Sequence, residues 1–309
     1  MDTPSPHTTP RSGRCAIVGR PNVGKSTLLN ALLGQKLVIA TPTPGTTRSC
    51  VIGVHVSADP PTQIAFVDTP GMGQGRTALA RLLSEQARGS MVDADVVVLM
   101  TDVDRRSLDV VHPLDEEIIR LLEAGERPAV LALNKVDRLR DKKRLLPLIQ
   151  AYTARHPFAA AVPVSATTGD GLEALIGEIR ALLPEGMIYD EDVLTDRPER
   201  FFAAELVREA ALLHTRDEVP HGVAVWIDDW SEEDGRVRIA ATLAVEKPSH
   251  KKIVVGARGR TIRSIGTAAR LEIERLLGRR VFLELWVKIV PGWTAQPAKA
   301  RRMLEEGGP

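Results

Sequence analysis

Solid apolar runs alternate with amphipathic stretches through the first half of the chain. Cys15-Ala16-Ile17-Val18, Ile64-Ala65-Phe66-Val67, Val96-Val97-Val98-Leu99-Met100 and Ala129-Val130-Leu131-Ala132-Leu133 are short and bounded by turn residues. Strands buried on both faces read this way, as in a parallel sheet covered by helices. The pattern predicts strands near 14–18, 49–57, 62–68, 95–101, 129–133 and 161–165. Helical spacing falls between them, near 25–33, 77–91, 113–124, 141–154 and 171–182. Only Ala58-Asp59-Pro60-Pro61 separates the second and third strands, so these two are expected to pair antiparallel at one edge. In such a sheet, ligands collect at the carboxyl ends of the strands.

The pattern changes at Leu183-Pro184-Glu185-Gly186. Residues 184–198 are acidic, contain Pro198 and read as a linker. Beyond them the spacing predicts a helix near 199–214, strands near 222–230 and 236–246, helical sequence near 250–277 and a strand at 281–290. The expected organisation is a Pro/Ser/Thr-rich disordered tail over 1–13, an α/β domain over 14–183, a smaller α+β domain over 199–293 and a C-terminal tail over 294–309.

Gly19-Arg20-Pro21-Asn22-Val23-Gly24-Lys25-Ser26 fits the phosphate-loop pattern G-x-x-x-x-G-K-[ST], between a strand and a helix. Glycine lets backbone N–H groups turn toward phosphate oxygens, and the helix N-terminus adds partial positive charge. Lys25 can reach the β- and γ-phosphates and Ser26 can ligate Mg²⁺. Gly19, Pro21, Asn22, Val23, Gly24 and Thr27 complete the predicted cradle. The apolar strand and helix around the loop argue against a chance glycine turn.

Three further motifs lie at ends of predicted strands. Asp68-Thr69-Pro70-Gly71 offers a carboxylate to the Mg²⁺ shell and a flexible backbone to the γ-phosphate, although the same four residues also make a good turn. In Asn134-Lys135-Val136-Asp137, the last carboxylate can accept from guanine N1–H and N2–H. Adenine would leave it unpaired, a mismatch that can discriminate by about 10⁴. Ser165-Ala166 can place a backbone N–H on guanine O6.

This order of motifs resembles the translation-factor class of P-loop GTPases over roughly residues 13–183, and PNVGKSTLLNALLGQK resembles its Era-type subgroup. The resemblance implies a first switch at 36–49 and a second at 70–80, ordered by γ-phosphate and Mg²⁺ and released on hydrolysis. It also implies that one of Thr46 and Thr47 caps Mg²⁺, with Thr47 favoured; the pair reads equally as the start of a β-strand. Lys25, Thr47 and Gly71 are the expected catalytic set, and Ser26, Thr47 and Asp68 the expected Mg²⁺ set. Met72 occupies the position where ras-like relatives carry a water-orienting Gln. A thioether cannot do that, so slow intrinsic hydrolysis is expected. Asn22 is a candidate K⁺ ligand by the same resemblance, the alternative being a residue that only stabilises the turn.

In the second half, Gly256-Ala257-Arg258-Gly259 is a G-x-x-G loop between apolar sequence and an amphipathic helix, with two strands before it and Val281–Val287 after. This resembles a type II KH domain, whose loop clamps a single-stranded nucleic-acid backbone. Residues 247–280 hold ten basic residues and two acids, a band that attracts phosphates; a solvated helix face is the blander alternative. Lys251, Lys252, Gly256, Ala257, Arg258, Gly259, Arg260 and Arg263 are the predicted RNA contacts. In contrast, residues 228–234 carry five acids. Trp286 and Trp293 could stack on bases; Trp286 is assigned instead to the core of the last strand, and Trp293 is left open.

The join of the two halves resembles the Era family of GTPases over about residues 13–293. That implies binding near the 3′ end of small-subunit ribosomal RNA, a role in small ribosomal subunit assembly, and peripheral association with the inner membrane. One departure stands out: Pro42-Thr43-Pro44-Gly45-Thr46-Thr47-Arg48 is unlike the usual Era switch loop. The competing reading is a regulatory GTPase whose KH-like domain binds a protein. A net charge of +1 and 43% hydrophobic residues are ordinary for a globular chain. Cys15 and Cys50 read as buried thiols in a reducing cytoplasm. No apolar run is long enough to span a membrane, and a monomer is expected.

Overall fold

The computed structural model describes residues 9–73, 75, 77–103, 110–187, 194–216, 219–233 and 235–305. Parts of the tail over 1–13, the second switch, the linker, the acidic 228–234 stretch and the C-terminal tail therefore lie outside the described residues. The chain divides into two compact units. The first holds Met1–Val38, Thr47–Gln74 and Leu83–Asp196; the second holds Ile39–Thr46, Gly75–Leu82 and Arg197–Pro309.

The first unit is built on six strands: β1 (Arg11–Val18), β2 (Val51–Ala58), β3 (Pro61–Asp68), β4 (Val96–Asp102), β5 (Ala129–Asn134) and β6 (Ala160–Pro163). Their order in the sheet is β2-β3-β1-β4-β5-β6. All neighbours run parallel except β2 and β3, as the short connection between those two requires. The helices are α1 (Lys25–Leu33), α2 (Ala78–Val92), α3 (Pro113–Gly125), α4 (Leu145–Thr153) and α5 (Leu172–Leu182). Ala16, Val18, Val97 and Leu99 point from the sheet into a core with Ala87 and Met91 of α2, Ile118, Ile119 and Leu122 of α3, and Leu148 and Tyr152 of α4. Side chains alternate across a strand, so Cys15 and Ile17 face the other way; both are fully buried.

Two boundaries differ from the sequence reading. β1 begins at Arg11, inside the segment expected to be a tail, because Arg11, Ser12 and Gly13 align with Thr62, Gln63 and Ile64 of β3. Ladder pairing overrides the polar composition. The acidic segment after α5 is docked at both of its described ends. Ser12 N–H donates to Pro184 O at 3.1 Å and Gly186 N–H to Pro10 O at 2.9 Å. Further on, Val54 N–H donates to Leu194 O at 2.9 Å, and Gly53 bridges Thr195 along the edge of β2. Cys50 is also not fully buried; it precedes β2 and its Sγ lies 3.3 Å from Ser90 Oγ.

The second unit contains α6 (Glu199–His214), β7 (Ala224–Glu233), β8 (Arg236–Val245), α7 (Pro248–Val255), α8 (Arg260–Leu277), β9 (Arg280–Ile289) and α9 (Pro297–Glu305). β8 lies centrally, antiparallel to β7 and parallel to β9. Val237, Ile239, Leu243 and Val245 of β8 meet Ala203, Val207 and Ala210 of α6 and Ile265, Ala269 and Ile273 of α8. Ile39 joins this core. Two adjacent buried charges of α6 grip the backbone of its segment: Arg208 Nη2 donates to Thr46 O at 2.5 Å, and Glu209 Oε1 accepts from Ala40 N–H at 3.2 Å.

The two tryptophans take opposite places. Trp286, assigned to the core by its type, is 66% exposed because its position in the β9 alternation faces away from the helices. Trp293 is fully buried and its indole N–H donates to Gly222 O at 3.1 Å. The expected tail after it includes α9, whose Ala300 and Met303 are buried. Trp293→Ala is predicted to cost about 3–5 kcal/mol through the cavity and the lost hydrogen bond. Denaturant unfolding followed by far-UV circular dichroism checks this; a loss under about 1 kcal/mol would contradict the anchoring role.

Candidate functional site

The phosphate loop leaves β1 at Gly19 and enters α1 at Lys25. Asn22 and Gly24 take left-handed backbone angles, φ 64° and 105°. Glycine at 24 is required twice over, since a Cβ there would lie 2.4 Å from Asn134 Nδ2. The loop's carbonyls are gripped by side chains. Lys25 Nζ donates to Gly19 O at 3.0 Å and Arg20 O at 3.1 Å. Lys135 Nζ donates to Asn22 O at 3.0 Å, and Asn134 Nδ2 to Val23 O at 2.8 Å.

Three oxygens converge beside the loop. Ser26 Oγ lies 2.9 Å from Thr47 Oγ1 and 2.8 Å from Asp68 Oδ2, and Thr47 Oγ1 lies 3.2 Å from the same carboxylate oxygen. Asp68 Oδ1 is buried with no hydrogen-bond partner among the described residues. Two hydroxyls and a carboxylate with acceptor capacity to spare are the hard oxygen donors Mg²⁺ takes. Thr46 turns its hydroxyl elsewhere, to Thr43 O at 2.6 Å. Gly71 passes so close to the loop that a Cβ would stand 2.9 Å from the Pro21 backbone. The Met72 side chain is buried in the core, and its N–H donates to Gly19 O at 3.2 Å.

Burial dominates the titration of the two charges here. It pushes Lys25 down to about 8, against the pull of Asp68 and Asp115. It pushes Asp68 up to about 6, against Lys25 and the hydroxyls of Ser26 and Thr47.

The side expected to read the base is assembled from two strand ends. Ser165 Oγ donates to Asp137 Oδ1 at 2.7 Å, orienting the carboxylate, and Ala166 N–H donates to Asn134 Oδ1 at 3.0 Å. Asp137 itself is exposed and available to a ligand.

Several supporting residues escaped the sequence reading. Asp102, the last residue of β4, accepts from Arg20 at 2.7 Å and Lys135 at 2.6 Å. Burial alone would raise its pKa, but these partners hold it below the usual carboxylate range. Arg20 also meets the fully buried Asp115 at 3.2 Å. Asp115 further accepts from Thr101 at 2.9 Å and Tyr152 at 2.6 Å. The signal for Asp102 was present: an acid closes the apolar run of β4, as Asp68 closes that of β3.

In the second unit, α7 ends at Val255 and α8 starts at Arg260, so the G-x-x-G loop is a tight link between two helices. Gly256 has φ 70° and Gly259 φ 75°; a Cβ on Gly256 would stand 2.2 Å from Thr261 Oγ1. Lys251, Lys252, Ala257, Arg258, Arg260 and Arg263 are all exposed around it. The distal part of the basic band is internally neutralised: Arg270 pairs with Glu274, Arg275 with Glu272, and Arg279 with Glu199 and Glu232.

A phosphate loop, an oxygen triad and the Asn134–Asp137 strand end in one unit, with a G-x-x-G helix pair in the other, define a P-loop GTPase carrying a KH domain. Residues 14–135 match the family described as 50S ribosome-binding GTPase, and residues 218–294 match the KH domain family. The chain is 44% identical over 301 residues to GTPase Era of Geobacter metallireducens, covering 96% of this chain and 97% of that one. It is likewise 44% identical to GTPase Era of Syntrophus aciditrophicus, over 96% and 95%. Among solved structures it resembles a variant of Aquifex aeolicus Era bound to GDP·AlF4⁻, with TM-score 0.90, 40% identity and coverage of 96% and 99%. Era in complex with MgGDPNP and nucleotides 1506–1542 of 16S ribosomal RNA matches with the same values. The chain belongs to the Era family of GTPases.

The Lys25 environment makes a proton-linkage prediction. Phosphate favours the charged ammonium, so binding raises a pKa that starts near 8. GTP affinity should be full below about pH 8 and fall above it, with proton uptake on binding near pH 8.5 and little at pH 7. Calorimetry in two buffers of different ionisation enthalpy reads this directly; equal proton uptake at both pH values would overturn it.

Proposed function

We propose that this GTPase is a nucleotide-controlled binder of the 3′ end of small-subunit ribosomal RNA, acting in assembly of the small ribosomal subunit. The observation that carries the reading is the exposed, cation-flanked G-x-x-G loop in the same chain as a P-loop GTPase domain. A solved relative in complex with nucleotides 1506–1542 of 16S ribosomal RNA supports it.

In this reading Ser26, Thr47 and Asp68 hold Mg²⁺, which offsets the charge of the β- and γ-phosphates when bound. Lys25 neutralises phosphate from the loop side. Gly71 brings backbone next to the γ-phosphate position, and Asp137 reads guanine with Ser165 orienting its carboxylate; the Ala166 N–H expected on guanine O6 is instead held by Asn134 Oδ1. With the Met72 side chain buried, no residue at that position orients the attacking water, so intrinsic hydrolysis is slow. Asn22 is proposed as a K⁺ ligand, the cation acting where an arginine finger acts elsewhere. The protein is proposed to be a cytoplasmic monomer. Among the described residues no helix is long and apolar enough to cross a membrane. Any peripheral membrane contact would draw on the same basic loop that faces RNA.

Two experiments test this. Gly256→Asp puts a carboxylate where even a Cβ collides. It should abolish binding to a single-stranded RNA copying the 16S 3′ end and leave GDP affinity unchanged; retained RNA affinity would refute the clamp. Replacing Na⁺ with K⁺ should accelerate GTP turnover at least several-fold in the parent and not in Asn22→Ala. Identical rates in the two salts would remove the K⁺ role.

A further inference from the structure

The outer face of the three-stranded sheet in the second unit carries aromatic and basic side chains that neither the core nor the G-x-x-G loop uses. Leu283, Leu285, Val287 and Ile289 of β9 pack on the helices. Their neighbours in the alternation therefore face solvent. Phe282 is 56% exposed and Trp286 66%, two large rings on one face, about 13 Å apart along the strand. Cross-strand register builds this face into rows. Arg238 lies opposite Phe282, Thr242 opposite Trp286, and Arg236 opposite Arg280; Trp226 of β7 extends the Thr242 row but is itself buried, so Phe282 and Trp286 are the rings open to a ligand.

A cation accompanies each aromatic row. The Arg238 guanidinium lies 5.8 Å from the Phe282 ring centre, and Lys288 Nζ lies 5.9 Å from that of Trp226. Arg236, Arg238, Arg280 and Lys288 are exposed. Against them β9 sets one acid, Glu284, paired with Arg238 at 3.2 Å. Between the aromatic rows, Asp229 aligns with Ala240 and Glu284, and at the adjacent bulge Asp228 accepts from Trp226 at 2.8 Å and Thr242 at 2.7 Å, so carboxylates stand where base amino groups would need acceptors. A protein-docking patch tends to exclude charge from its centre. Exposed rings interleaved with cations are instead the composition of a single-strand stacking platform.

We propose that this outer sheet face is a second RNA-contact surface, with Phe282 and Trp286 stacking unpaired bases and Arg238 and Lys288 meeting the flanking phosphates. It lies on the side of the sheet away from α7 and α8, so it would engage nucleotides other than those held by the G-x-x-G loop. It rests on the reading of the second unit as an RNA binder and extends the length of RNA the chain can hold.

The test uses the full chain, loaded with a GTP analogue, and an RNA equivalent to nucleotides 1506–1542 of 16S ribosomal RNA. Trp286→Ala and Phe282→Ala should each weaken binding about tenfold. The double variant Arg238→Ala/Lys288→Ala should lower the slope of log affinity against log salt by about two. Trp286→Phe should remove most of the tryptophan quenching that RNA produces in the parent. All these side chains are exposed, so GDP affinity and thermal midpoint should not move. Unchanged affinity, slope and quenching, with Gly256→Asp still abolishing binding, would overturn the second surface and leave this face to a protein partner. A parent chain that binds no RNA at all would overturn the RNA reading itself, together with this extension.

Discussion

A loop that offers its backbone N–H groups to phosphate cannot also spend them on its own fold. Its carbonyls must then be satisfied by something else, and here side chains do it. Lys25, Asn134 and Lys135 together reach the carbonyls of Gly19, Arg20, Asn22 and Val23. Holding a loop by its carbonyls fixes its shape without drawing on its amides, which is the condition for electrostatic preorganisation.

Two of those three gripping residues belong to the motif proposed to read the base. Asn134 and Lys135 hold the phosphate loop, while Asp137, two residues on, is exposed with its carboxylate held by Ser165. The residue proposed to read the base and the shape of the phosphate cradle are thus mechanically joined at the end of β5. Beneath them lies a cluster of charges: Arg20 between Asp102 and Asp115, and Lys135 on Asp102. Such groups are costly to bury unless each is paired and hydrogen-bonded. Thr101 and Tyr152 supply hydrogen bonds that Asp115 would otherwise lack. Removing one member would leave another charge stranded under the nucleotide site.

Much of this was legible in the chain, for reasons that differ by element. The central strands are apolar on both faces, so Val96–Met100 could be recognised without context. The phosphate loop and the guanine motif are readable because phosphate and guanine accept few alternatives at each position. The Arg20–Asp102–Asp115–Tyr152 cluster was not readable, since its members are far apart in sequence and follow no fixed spacing. Trp286 was misplaced because a strand with alternating exposure was read by residue type rather than by phase. Val281 and Leu285 face inward, and the phase they set puts residue 286 outside. The segments 1–13 and 294–309 misled for another reason: composition describes what a chain can do alone, whereas Arg11–Gly13 and α9 owe their form to partners elsewhere in the fold.

The docked ends of the acidic segment have a practical meaning. β2 is the outermost strand on its side of the sheet, and an unpaired strand edge is a template for aggregation. Leu194 and Thr195 bond to that edge, and Asp196 accepts from Ile52 N–H at 3.3 Å. What composition marks as a spacer therefore also serves as a sealing strip. A nucleotide-binding fragment cut at the end of α5 would lose the strip and expose a sticky ladder. One cut after Asp196 would keep its own edge closed, so the natural seam of the molecule lies more than a dozen residues beyond the last helix of the sheet.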